Sequence, residues 1–152
     1  MNSTNGKTMK MMSSQLFAPC GINCGVCANY LRKRKPCVGC LLGIIGKEPH
    51  PKCKIRLCAR EHGFTNCFEC KTFPCERIKH IDLRYQKSYG ISLILNSLAV
   101  KENGIATFME REARKWECPS CHERLSIHLP ICSNCQQPNP FFPLSRKREQ
   151  SN

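Results

Sequence analysis

The sequence predicts a small metal-stabilised fold: an irregular, partly α-helical cysteine-rich N-terminal domain with a helical hairpin, followed by a β-hairpin zinc ribbon. Three observations predict it. Fourteen of the 152 residues are cysteine; five C-x-x-C pairs stand among them; and a cysteine-free stretch with helical periodicity separates the last two pairs from the rest. A C-x-x-C turn aims two sulfurs at one point, and two such turns close a tetrahedral shell with metal–sulfur bonds of about 2.3 Å. Aromatic side chains are few, with one Trp, three Tyr and seven Phe, so much of the order falls to the cysteines.

The compartment decides between metal and disulfide. No apolar run approaches the ~20 residues that cross a bilayer, and residues 1–15 are polar with no apolar signal core. The expectation is a cytoplasmic protein without a membrane partner, where repeated C-x-x-C pairs favour metal.

Residues 1–17, rich in Met, Ser, Thr and Asn, read as a disordered tail. Residues 18–116 read as a cysteine-rich zinc-binding domain. In one partition Cys24, Cys27, Cys37 and Cys40 form a first site, and a second draws four from Cys53, Cys58, Cys67, Cys70 and Cys75. Cys20 and one of the later five are then surplus thiols, and interleaved sites stay open. A helix starts around Phe73-Pro74-Cys75-Glu76, with Pro74 in its first turn and Glu76 at the positive end of the helix dipole.

The helical hairpin occupies about 78–116. Ile91, Ile94, Leu95 and Leu98 fall on one helical face, Asn103-Gly104 marks a stop, and Ile105, Phe108, Met109, Glu112 and Trp116 line a second helix. Both stripes read as packed core, with Glu112 interrupting the second.

The zinc ribbon spans 117–136. Cys118, Cys121, Cys132 and Cys135 supply four thiolates, Leu125-Ser-Ile-His128 alternates as a strand would, and Pro130 marks a turn. Four thiolates leave no open position, so the metal there is structural, and His122 and His128 are not needed as ligands. Residues 137–152 read as a disordered basic tail with Arg146-Lys147-Arg148.

The expected cofactor is zinc, three ions in all, with an iron–sulfur cluster as the alternative. Cys20-x3-Cys24-x2-Cys27 has the spacing of a radical S-adenosylmethionine cluster, but the chain lacks the α/β barrel that chemistry uses. The ferredoxin run C-x2-C-x2-C-x3-C-P is also missing, and paired knuckles favour zinc.

The formal charge of +13 invites a nucleic-acid partner. Zinc weakens the invitation, because each zinc–tetrathiolate centre carries −2 and three would leave about +7. Arg32-Lys33-Arg34-Lys35 and the Lys52, Lys54, Arg56 group lie beside knuckles, where they offset anionic centres or contact phosphate. Two functions follow: a non-catalytic protein- or nucleic-acid-binding module, or a redox or metal-handling protein using surplus thiols such as Cys20 and Cys75. A hydrolase is not supported, since Asp82 is the sole Asp and no His-Glu-x-x-His run occurs.

Several stretches carry a family resemblance: Cys20-Gly-Ile-Asn-Cys24-Gly-Val-Cys27-Ala-Asn-Tyr, Cys37-Val-Gly-Cys40, Cys53-Lys-Ile-Arg-Leu-Cys58-Ala-Arg-Glu-His-Gly and Cys67-Phe-Glu-Cys70-Lys-Thr-Phe-Pro-Cys75-Glu. They resemble an uncharacterised cysteine-rich domain-of-unknown-function family of bacteria, mainly anaerobes, and archaea. Tyr89-Gly-Ile-Ser-Leu-Ile and Asn103-Gly-Ile-Ala-Thr-Phe resemble its longer members, which end in a zinc ribbon. The likeness covers about 20–135. It implies zinc binding in the cytoplasm and brings no activity or substrate.

Overall fold

Residues 11–41 and 52–143 are described in the computed structural model. Their helices are α1 (Ala28–Leu31), α2 (Lys54–Glu61), α3 (Glu76–Tyr89), α4 (Leu93–Asn103) and α5 (Ile105–Lys115). Three short 3-10 turns, Ser14–Leu16, Cys24–Val26 and Cys67–Glu69, punctuate the N-terminal half.

The ends of α3 follow its sequence. Glu76 opens it, Lys87 sits in the last turn, and Gly90 closes it at φ 68°, a left-handed conformation that glycine adopts without strain. Pro74 precedes the helix, ahead of the N-cap Cys75, rather than lying in its first turn. The next helix is capped twice. Ser92 Oγ accepts the Leu95 N–H, and Asp82 of α3 accepts both the Ser92 hydroxyl at 2.8 Å and the Ile94 N–H at 3.0 Å. One carboxylate thus ties α3 to the start of α4.

Buried side chains from the whole chain meet in one core. Leu16, Phe17 and Val26 join Ile78 of α3, Leu93 and Val100 of α4, Phe108, Met109 and Ala113 of α5, and then Trp116, Leu125 and Ile127. Phe17 packs edge-on against Phe108 with ring centroids 5.4 Å apart. Residues 12–17, placed in a tail by sequence reasoning, therefore contribute Met12, Leu16 and Phe17 to the core; residues 1–10 lie outside the described set. Residues 137–143, also placed in a tail, are held by Asn139, whose side-chain amide donates to the Ser126 and Leu129 carbonyls at 2.9 and 3.0 Å. Phe142 is buried beyond it, and the Arg146–Arg148 run lies outside the described residues.

The face that α4 buries is not the predicted one. Leu93, Ser97 and Val100 are buried, whereas Leu95 and Leu98 are 66% and 45% exposed. The cause is a close approach. At Gly21, φ +103°, a side chain would run into the Leu93 carbonyl and come within 2.7 Å of Ser97 Oγ. Small residues on both sides let the Gly21 turn press against α4, which rotates Leu93 and Ser97 inward.

The predicted β-hairpin zinc ribbon is overturned. Among the described residues there is no β-strand and no sheet, only isolated bridges such as Glu117–Arg124 and Ile131–Pro138. Leu125, Ser126 and Ile127 are buried in succession, which a two-faced strand does not allow. Their backbone donors also diverge: Leu125 N–H bonds to the Trp116 carbonyl at 2.8 Å and Ile127 N–H to the Val26 carbonyl at 3.0 Å. With partners in two different parts of the fold, the segment has no ladder to join.

Candidate metal centre

The two C-terminal C-x-x-C pairs form the same turn twice. In the first, Cys118 N–H donates to the Glu123 carbonyl and His122 N–H to the Cys118 carbonyl, both at 2.8 Å. In the second, Cys132 N–H reaches the Gln137 carbonyl at 2.8 Å and Gln136 N–H the Cys132 carbonyl at 2.9 Å. Each turn holds a left-handed residue at the same place, His122 at φ 66° and Gln136 at φ 67°.

Facing each other, these turns gather four sulfurs. Cys118 Sγ lies 3.6 Å from Cys135 Sγ, and Cys121 Sγ 3.6 Å from Cys132 Sγ, with all four within 4.8 Å of one another. A tetrahedron with metal–sulfur bonds of 2.3 Å has edges of about 3.8 Å. The tetrad is therefore sized for one ion. In each pair the first cysteine is buried and the second half-exposed.

The surroundings favour thiolates. Asn134's side chain and then the Glu123 N–H lower the Cys121 thiol to about 6. Burial pushes Cys118 up, but N–H groups of Cys121 and Ser120 outweigh it and hold the thiol below its ordinary value. Cys135 goes the other way: the Gln137 N–H lowers it, yet burial and three neighbouring sulfurs push it to about 12. Four crowded thiols cannot all ionise without a cation among them. Neither histidine competes. His122 Nδ1 lies 2.6 Å from Glu117 Oε1, and His128 faces Ala28 and Tyr85.

The N-terminal cysteines divide in space. Cys24 and Cys67 begin two matching 3-10 turns, each preceded by asparagine. Asn23 Oδ1 caps Gly25 N–H at 2.9 Å, Asn66 N–H donates to Glu69 Oε2 at 2.7 Å, and the second cysteine of each pair donates its N–H to the carbonyl of the first. Sequence reasoning missed this repeat, although Asn-Cys-x-x-Cys at 23–27 and 66–70 signals it. Cys24 Sγ accepts the Cys40 N–H at 3.4 Å, and a bond from the Cys24 thiol, helped by Arg56, brings Cys40 down to about 7. Burial raises the Cys27 thiol most, and the Cys40 and Cys37 sulfurs add to it. Cys58, Cys67, Cys70 and Cys75 line a separate cavity.

Cys20 and Cys53 belong to neither set. Cys20, read from the sequence as a surplus thiol, is 8% exposed, and burial pushes its thiol up to about 12, which suppresses reactivity. Cys53 is the N-cap of α2. None of the fourteen cysteines is in a disulfide.

A backbone motif recurs across both halves. Cys27, Cys37, Cys70, Cys121 and Cys135 each accept an N–H from two residues ahead. Donors aimed at sulfur stabilise its ionised form. Beside the first set, Arg32, Lys33, Arg34 and Lys35 form an exposed turn closed by an Arg32 Nε–Lys35 carbonyl bond of 2.9 Å. No helix among the described residues is long and apolar enough to cross a membrane.

Residues 16–80 match the family model described as a protein of unknown function, DUF3795. That span holds all ten N-terminal cysteines and stops short of the Cys118–Cys135 tetrad. No curated protein and no solved structure matches. The similarity brings no activity with it.

Proposed function

We propose that the chain is a zinc-binding protein in which Cys118, Cys121, Cys132 and Cys135 hold one structural zinc, and that the braced fold is a non-catalytic module for a polyanionic partner, nucleic acid first. The carrying observation is the tetrad, with its two 3.6 Å sulfur edges inside one 4.8 Å cluster. Four thiolates in tetrahedral array suit zinc and leave it no open position for substrate. The partner reading rests on the Arg32–Lys35 turn. It borders a groove of about 840 Å³ that runs from Tyr30, Arg32 and Lys33 to Ser126 and Asn134 of the C-terminal segment.

Zinc counting by mass spectrometry, paired with anisotropy titrations of single-stranded RNA and DNA at graded salt, tests both halves. The tetrad reading expects one zinc that Cys121→Ser removes. The partner reading expects affinity that falls with salt, and a shallower slope when Arg32, Lys33, Arg34 and Lys35 become Gln. No salt-dependent binding at low ionic strength would end it.

A further inference from the structure

The C-terminal tetrad and the set Cys58, Cys67, Cys70 and Cys75 differ in size. The C-terminal tetrad is closed to one-ion dimensions, and it is the group of cysteines, histidines and carboxylates among the described residues whose ligand atoms lie mutually within 4.8 Å. Cys58, Cys67, Cys70 and Cys75 instead surround a cavity of about 370 Å³. A single ion at the centre of a 3.8 Å tetrahedron leaves no such void. At ~30 Å³ of liquid per water the cavity has room for about a dozen; Ala59, Phe64, Phe73 and Ile78 make one part of its remaining wall apolar, and His62, Thr72, Glu76 and Arg77 make the other part polar.

We propose that this cavity is the site of an iron–sulfur cluster ligated by Cys58, Cys67, Cys70 and Cys75. A four-iron cluster spaces its thiolates more widely than one ion does, because each cysteine sulfur binds a different iron and inorganic sulfide fills the interior. The ligands come from three anchored elements: Cys58 from α2, Cys67 and Cys70 from the second Asn-Cys-x-x-Cys turn, and Cys75 from the N-cap of α3. Cys70 receives a further donor suited to a cluster thiolate, with Thr72 Oγ1 3.1 Å from its sulfur. His62 lines the same cavity, its Nδ1 2.8 Å from the Cys58 carbonyl and so carrying the ring proton, and its ring stacked on Phe64 at 6.2 Å; the four cysteines complete the ligand set without it. The assignment leaves Cys20 and Cys53 as thiols and does not depend on what the C-terminal tetrad binds.

The test uses the full chain, purified without oxygen and reconstituted with ferric iron and sulfide in excess dithiothreitol, whose oxidation to its disulfide supplies the two electrons per four irons that the cluster takes up. Iron, sulfide and zinc are counted together, and the visible charge-transfer bands and Mössbauer spectrum are recorded. The wild type is expected to gain iron and sulfide in equal amounts, up to about four each for a four-cysteine cluster, and to turn brown. Cys70→Ser and Cys75→Ser should lose that colour while keeping the tetrad zinc, which doubles as the control for folding. Cys53→Ser should stay brown. A wild type that takes up only zinc at these positions overturns the proposal without any variant. So does a cluster that survives both Cys70→Ser and Cys75→Ser. Loss of the tetrad zinc in wild type would count against the structural-zinc reading alone.

Discussion

His128 Nδ1 accepts the backbone N–H of Ala28 at 3.2 Å, joining residues a hundred positions apart. An acceptor nitrogen carries no proton, so the proton sits on Nε2, which faces the Tyr85 hydroxyl at 3.4 Å. Tyr89 closes the pocket edge-on, its ring centroid 4.8 Å from the imidazole. The imidazole therefore holds α1, α3 and the segment between the two C-terminal turns together only while neutral.

Burial holds the His128 pKa below its ordinary 6.5. The unfolded chain then binds the proton more readily, so this contribution is complete above pH about 6.5 and is lost as pH falls below it. His128→Ala should cost about 1–2 kcal/mol near neutrality, for two hydrogen bonds and ring packing. Urea unfolding of the metal-loaded protein at neutral pH and at about pH 5.5 checks this. The gap between wild type and variant should narrow in acid; an unchanged gap would count against the neutral imidazole.

Asp82 should be the carboxylate that matters most for acid stability. Burial raises its pKa, but bonds from the Ile94 N–H, the Ser92 hydroxyl and the Gln86 amide outweigh that and hold it below the ordinary carboxylate value. Its stabilising effect is present above the unfolded value near 3.8 and is lost as pH drops through the lower folded one. Asp82→Asn keeps the shape, but with its amide oxygen still accepting from Ser92 and Ile94 it sets an NH2 donor against the Gln86 amide and removes the charge that strengthens all three bonds. We expect about 1–3 kcal/mol of destabilisation at pH 7, read by urea midpoint.

Two glycines separate strain from crowding. Gly63→Ala forces alanine to φ +71° but meets nothing within 4 Å, and should cost about 1–2 kcal/mol. Gly21→Ala adds a collision with the Leu93 carbonyl and Ser97 to its own positive φ, and should cost about 2–5 kcal/mol. Equal thermal shifts for the two variants would show that the approach of Gly21 to α4 is not tight.

Cys121→Ser should remove one zinc equivalent and unfold the C-terminal turns. Cys121 is half-exposed, so serine there loses little packing and the effect reports the ion. Ligation supplies folding free energy in a segment this small. Zinc content and near-ultraviolet circular dichroism of Trp116, which packs 5.1 Å from Phe141, would register the loss together.

The C-terminal ligand set was legible because C-x-x-C spacing fixes a turn regardless of what surrounds it. The path between the pairs was not, because alternation in Leu125-Ser-Ile-His128 suggested a surface with two faces, whereas the fold buries three of these residues in succession. On α4, apolar residues surround the helix, and the choice of face belongs to Gly21 and Ser97, a contact across 76 positions that periodicity does not record. Glu112 read as a break in an apolar stripe. It is a partly buried acceptor for Trp116 Nε1 at 3.2 Å and Asn23 Nδ2 at 3.4 Å, a polar bond made inside the core. The division of the N-terminal cysteines was illegible for the same reason: Cys20 sits between two sets because Pro19 and Cys67 share a backbone bond of 2.9 Å, not because of its place in the chain.

The bond from Ile127 to Val26 has a thermodynamic consequence. Val26 lies inside the Cys24-x-x-Cys27 turn, and Ile127 lies between the two turns of the C-terminal tetrad. Distorting either turn strains the other. An ion that stiffens the tetrad therefore lowers the cost of ordering Cys24 and Cys27, and by linkage a metal bound at those cysteines must tighten the tetrad's grip by the same factor. Chelator titrations would then trace one cooperative release where independent sites would give two.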